Sequence, residues 1–127
     1  MKIKKLDHVN LRTQQIDVLV EWYSKILGLQ TGYRPPSAPN PGVWLYIGET
    51  AAIHLVRLDE PAGAGSETGL KLEHFSLSAE GREQFEQRLE ANGERFTISE
   101  VKELNLVLYN IWDPDGNHIH VDFSTEE

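Results

Sequence analysis

Four histidines stand in two matched pairs, and imidazole is the side chain best suited to bind a metal near neutral pH. Leu6–Arg12 reads LDHVNLR and Leu72–Ser78 reads LEHFSLS, so Leu6, Asp7, His8 and Leu11 are echoed by Leu72, Glu73, His74 and Leu77. Ala52–Leu55 reads AIHL and His118–Val121 reads HIHV, which echoes His54 as His120. One spacing relates both pairs, since 74 minus 8 and 120 minus 54 are each 66. A lone histidine is most often satisfied by a core hydrogen bond or by water. Four at repeat-equivalent positions point instead to metal ligation by His8, His54, His74 and His120. The chain has no short-range metal motif such as HExxH, so the duplication carries the signal.

Ligands of this kind need rigid elements beneath them, and strands hold side chains more firmly than loops. Lys2–Arg12 alternates, with Leu6, His8 and Asn10 on one side and Val9 and Leu11 on the other, which predicts a half-buried strand. Over Asp17–Leu27 the period changes. Leu19, Trp22, Tyr23 and Ile26 line one helical face, and Gly28 supplies a stop. A short strand is expected over Leu29–Tyr33. Pro35, Pro36, Pro39 and Pro41 make Arg34–Gly42 a loop. Val43–Ile47 and Ala51–Arg57 read as two strands of a hairpin across Gly48–Thr50. Asp59–Thr68 is polar and rich in Gly and Ala, as a linker would be.

The second half repeats the programme. Leu70–Ser78 is predicted as a strand and Glu80–Ala91 as a more polar helix held by Phe85 and Leu89 and stopped by Asn92-Gly93. Phe96–Val101, Asn105–Trp112 and Ile119–Phe123 are predicted strands, with a Pro/Gly turn at Asp113–Asn117. The expected fold is therefore α+β. It consists of tandem βαβββ modules, about 1–58 and 69–127, in a single domain with curved mixed sheets around a metal-containing cavity. Val9, Leu11, Ile53, Leu55, Phe75, Leu77, Ile119, Val121 and Phe123 should face the helices. The four histidines fall on the opposite faces of their strands, which suggests one shared pocket.

Composition narrows the function classes. A formal charge of −8 over 127 residues argues against a protein that tracks nucleic-acid phosphates or an anionic membrane. No apolar run approaches the 18 or so residues of a membrane-spanning helix. The opening MKIKKLDHVN has the lysines of a leader but no apolar stretch after them. With no cysteine there is no disulfide, thiolate ligand or cysteine nucleophile. A cytoplasmic location is the expectation.

Further residues are candidates for binding substrate. Asn10 and Ser76 continue the histidine faces and can orient substrate or an imidazole. Trp44 and Tyr46 alternate on one side of their strand, as do Asn110 and Trp112. An aromatic wall would suit a small apolar or aromatic ligand, although core packing is the commoner use of such residues. Arg34, beside the Pro-rich loop, could meet an anionic substrate, although surface solvation is its commoner state. His118 abuts the turn and is expected to be solvated. Glu49 and Glu103 are possible bases only if their loops fold inward.

The motifs LDHVNLR, Trp22-Tyr23 through Leu27-Gly28, WLYIG, AIHLV, LEHFSLS and DPDGNHIHVDF together resemble the vicinal oxygen chelate superfamily along essentially the whole chain. That superfamily includes glyoxalase I, fosfomycin-resistance and bleomycin-resistance proteins, methylmalonyl-CoA epimerase and extradiol ring-cleaving dioxygenases. The resemblance implies paired βαβββ modules forming a U-shaped cavity around a divalent metal, and it implies a homodimer. It aligns His8 and His74 with ligands on first strands, and His54 and His120 with ligands on last strands. The usual last-strand residue after the DPDG turn is a glutamate, which binds metal and in glyoxalase-type enzymes can act as the base. Here that position is His120.

Neutral imidazole donors suit Fe, Ni, Co or Zn and disfavour Mg and Ca, which prefer oxygen. Four imidazoles on a six-coordinate ion leave two open positions, enough for a bidentate substrate, whereas four on tetrahedral zinc would close the site. The leading expectation is a metal-dependent lyase or isomerase acting on a small substrate with neighbouring oxygens. The alternatives are an Fe(II) ring-cleaving dioxygenase, a non-catalytic antibiotic- or metabolite-binding protein, and a domain that uses metal only for structure.

Overall fold

The computed structural model describes residues 1–60 and 72–127. The chain divides into two compact units, Met1–Ser66 and Glu67–Glu127. The first contains β1 (Val9–Thr13), α1 (Ile16–Leu27), β2 (Gln30–Gly32), β3 (Gly42–Ile47) and β4 (Thr50–Arg57). The second contains β5 (Phe75–Ser78), α2 (Arg82–Ala91), β6 (Phe96–Val101), β7 (Leu106–Trp112) and β8 (His118–Ser124). Each is βαβββ, as the repeat predicted. The linker expected over Asp59–Thr68 lies largely outside the described residues.

Each unit forms one mixed four-stranded sheet, ordered β1-β4-β3-β2 in the first and β5-β8-β7-β6 in the second. The first strand runs parallel to the last, and the hairpin strands run antiparallel. The last strand therefore lies inside the sheet, bonded on both edges. Alternation then sorts its side chains. In β4, Ile53 and Leu55 are buried on the helix side; in β8, Ile119, Val121 and Phe123 are.

Helix α1 follows its sequence pattern. Leu19, Trp22, Tyr23 and Ile26 are buried against the sheet. Gly28 takes φ 72°, a left-handed conformation that favours glycine, and its amide donates to the Ser24 carbonyl at 3.1 Å. Helix α2 buries only Phe85 and Leu89. It starts at Arg82 rather than Glu80, because Gly81 at φ 86° stands outside helical geometry.

The first strands also differ from expectation. Residues 2–8 alternate but form no strand, and Ile3 and Leu6 are exposed. Pairing with β4 begins only at Val9 opposite Ile53. Likewise β5 begins at Phe75 opposite Ile119, although a strand was predicted from Leu70 (residues 70 and 71 are outside the described set). An alternating pattern needs a partner strand, and among the described residues none is bonded to residues 2–8 or 72–74. His8 and His74 thus stand one residue ahead of β1 and β5 rather than within them. A further difference is a single 3-10 turn, Lys102–Leu104, which ends at Asn105 in left-handed conformation (φ 54°) and shortens β7 by one residue.

The core of the second unit centres on Tyr109, 1% exposed, which packs against Phe85, Phe96 and Phe123. Its hydroxyl donates to Glu86 on α2. Burial and then this carboxylate push the phenol up to about 12. An unfolded tyrosine ionises near 10. Stability from this group is thus complete below about pH 10 and lost as pH rises toward 12, because the unfolded chain loses its proton first. Alkaline denaturation should begin in that window, and Tyr109→Phe should flatten it. A stability profile between pH 10 and 12 that this variant leaves unchanged would contradict the assignment.

Candidate metal and ligand sites

The interior position of the last strand decides what surrounds its histidine. In the first unit His54 is paired with Asn10 on β1 and Trp44 on β3. Its ring is sandwiched between His8, with centroids 3.9 Å apart, and Trp44, at 4.0 Å, both nearly parallel to it. The Nε2 of His54 donates to the Ala51 carbonyl at 3.1 Å. The β3–β4 ladder shifts register between Leu45 and Tyr46, leaving Ala52 unpaired. His8 donates from Nδ1 to Asp7 at 2.7 Å, and that contact lowers the Asp7 carboxyl.

The second unit repeats this frame with different side chains. His120 is paired with Ser76 and Asn110, and His74 stacks on it at 3.9 Å. Here the β7–β8 ladder has no shift, and His118 pairs with Trp112 and stacks on it at 5.2 Å. Its counterpart 66 residues earlier is Ala52, so only the second unit gains a third imidazole. The ring nitrogens available from His74, His118 and His120 lie within 4.8 Å of one another. Sequence reasoning expected His118 to be solvated, and the structure corrects this. The Asp113 carboxylate accepts from the Asp115 and Asn117 amides, which fixes the turn so that His118 opens β8. The His118 side chain is only 18% exposed.

Glu73 joins two of these rings. One carboxylate oxygen accepts from His74 Nδ1 and the other from His118 Nδ1, the latter at 2.8 Å. Both contacts hold Glu73 below the usual carboxylate range. With the proton of His74 kept on Nδ1, its Nε2 is left for a ligand. His118 Nε2 faces the Asn110 amide oxygen at 3.0 Å, a contact that metal binding through Nε2 would replace. Two nitrogens bound to one ion at about 2.1 Å each are at most about 4.2 Å apart. The triad therefore fits a metal after small ring rotations, and three nitrogen donors fit Fe, Co, Ni or Zn.

Burial first, then neighbouring imidazoles, lowers the pKa of both central histidines: His8 acts on His54, and His74 and His118 act on His120. Both are thus biased toward the neutral, ligating form.

The remaining sequence candidates separate. Asn10, Arg34, Trp44 and His54 line a concavity of about 370 Å³ in the first unit, together with Arg12 and Asn40. Tyr46 does not line it; its hydroxyl donates to the Tyr33 carbonyl and its ring lies where a side chain at Gly32 would go. Ser76 donates to Asp122. Arg34 is partly buried rather than solvated. Glu49 and Glu103 are exposed. Sequence reasoning missed Arg12, Glu73 and Asp122. The Oδ1 of Asp122 is buried with no partner among the described residues, and alternation along HIHVDF places Asp122 on the face of His118 and His120, a signal that was available.

The comparisons with known proteins agree with this frame. The family model for the glyoxalase/bleomycin resistance protein/dioxygenase superfamily matches residues 5–121. The chain belongs to that superfamily. It is 29% identical over 125 residues to Glyoxylase I 4 of Arabidopsis thaliana, covering 95% of this chain and 71% of that protein. Among solved structures, a glyoxalase family protein from Bacillus anthracis is 18% identical, with a TM-score of 0.77 over 98% of each chain. The fosfomycin resistance protein FosX of Listeria monocytogenes is 12% identical, with a TM-score of 0.71 over 97% of this chain and 95% of that one. These structures share the fold: two mixed four-stranded sheets with two helices. Among the described residues no helix is long and apolar enough to cross a membrane.

In metal-free protein, the ring protons of His54 and His120 should titrate below the ordinary imidazole value of about 6.5. An unfolded histidine takes its proton first, so stability should fall as pH drops from about 6.5 toward the lowered folded values. His8→Ala should move His54 only part of the way back, because burial is the larger cause. Proton NMR titration checks both points; ordinary values for both rings would contradict the described packing.

Proposed function

We propose that this protein is a metal-dependent lyase or isomerase of the glyoxalase type, acting on a small substrate that chelates the metal through neighbouring oxygens. The carrying observation is the convergence of His74, His118 and His120, braced by Glu73, in a member of this superfamily. In this reading His8, His54, His74 and His120 supply ligands, as the repeat suggests, and His118 is added to them. The two βαβββ modules act as one functional domain, and the chain works as a cytoplasmic homodimer. When bound, a divalent metal supplies a Lewis acid that stabilises negative charge developing on the substrate oxygens.

The chain's own groups do the rest. Glu73 fixes the tautomer of His74 and orients His118. Asn10, Arg34 and Trp44 contact the substrate in the first-unit concavity, and Ser76 and Tyr46 hold neighbouring groups in place. Neither His54 nor His120 is a carboxylate, so proton transfer does not follow the usual last-strand glutamate. The first-unit concavity, lined by a single histidine, His54, supports a second reading, non-catalytic binding of a small molecule.

Elemental analysis of protein purified without chelator or nickel resin should find about one Fe, Co, Ni or Zn per chain. His74→Ala should abolish metal binding and turnover together, and Glu73→Gln should weaken metal affinity by about 10–100-fold. Iron with oxygen-dependent turnover would move the reading to the Fe(II) dioxygenase. A chain that refuses metal on titration but holds a small molecule stoichiometrically would replace it with the non-catalytic binder.

A further inference from the structure

The first-unit concavity also indicates a class of substrate, a step that rests on the substrate-binding role proposed for Arg34 and Trp44. Its walls carry two guanidinium groups, Arg12 and Arg34, and no carboxylate. In a chain with net charge −8 this is a local reversal of sign, and a concave surface of one sign gathers ions of the other.

Arg34 is anchored with donors to spare. Its Nη2 donates to the Pro39 and Asn40 carbonyls at 2.9 and 2.6 Å. Asn40 adopts φ 64° in this loop. A side chain at Gly42 would strike the Leu55 carbonyl and crowd Arg34, so glycine keeps the guanidinium seated. A guanidinium has five N–H donors. The Nε of Arg34 is buried with no partner among the described residues, which is costly for a charged group. The Arg12 side chain makes no hydrogen bond or ion pair with a described residue, whereas that of Arg57 on the same sheet pairs with Asp59 at 3.5 Å.

We propose that this concavity is an anion subsite, holding the carboxylate or phosphate group of a small organic substrate between Arg12 and Arg34, with the Asn10 amide as a further donor. At about 370 Å³ it exceeds a bare anion, so the anion is the head group of a larger molecule.

The test uses the full chain, stripped of metal, with inorganic phosphate and with acetate as probes at fixed ionic strength. Nitrogen–proton NMR follows the titration. At least one probe should bind saturably and shift the backbone amides of Asn10, Ala38, Asn40 and Gly42. Arg12→Gln and Arg34→Gln should each weaken binding by about tenfold, the loss of one charge-assisted contact. Arg57→Gln should leave it unchanged. The tighter probe distinguishes a phosphate from a carboxylate head group. Arg34→Gln can release the loop, so Arg12→Gln, which removes no internal bond, is decisive. No saturable binding, or equal loss in Arg57→Gln, would overturn the proposal. Because metal is absent from the assay, failure of the metal reading and failure of the anion subsite give different results.

Discussion

A strand bonded on one edge to the first strand and on the other to the hairpin strand must lie inside its sheet, and His54 and His120 stand on such strands. The side chains on both flanks are then fixed by register. His54 has Asn10 and Trp44 beside it; His120 has Ser76 and Asn110. The parallel pairing also brings the residue just before each first strand over the last strand, so His8 stacks on His54 and His74 on His120. Without that pairing the preceding Asp7 and Glu73 would be ordinary surface acids. With it, each accepts from the imidazole that follows and orients it.

The two units share this frame and differ in what they mount on it. In the first, the shift in the β3–β4 ladder leaves Ala52 where the second unit has His118, and Val56 stands where the second unit has Asp122. Val56, Trp44 and two arginines, Arg12 and Arg34, line the first-unit concavity. In the second unit the ladder is regular, and β8 carries His118, His120 and Asp122 along one face. There Glu73 ties His74 to His118, and His120 completes a group of three imidazoles that could hold a metal ion.

The repeat and the helix faces were legible because both depend on residue identity at fixed spacing. The offset alone singles out His8, His54, His74 and His120 as candidates. The strand starts were not legible, because alternation at residues 2–8 meant nothing without a partner strand. His118 was misread because a residue beside a Pro/Gly turn is usually solvated, whereas this turn is built on the buried Asp113. Arg34 was recognised as a candidate, but its seat depends on two backbone carbonyls and a close approach at Gly42, which leave no pattern in the sequence. Arg12 carries no pattern in the sequence that marks it; only the concavity gives it a location.

The proposed ligation of a metal is by imidazole nitrogens. X-ray absorption on the metal-loaded chain tests it most directly, because ordered imidazole rings give characteristic outer-shell scattering. At least the imidazoles of His74, His118 and His120 are expected around the ion, with nitrogen near 2.0–2.1 Å if the metal is zinc. A spectrum fitted by oxygen donors with no imidazole scattering would contradict it.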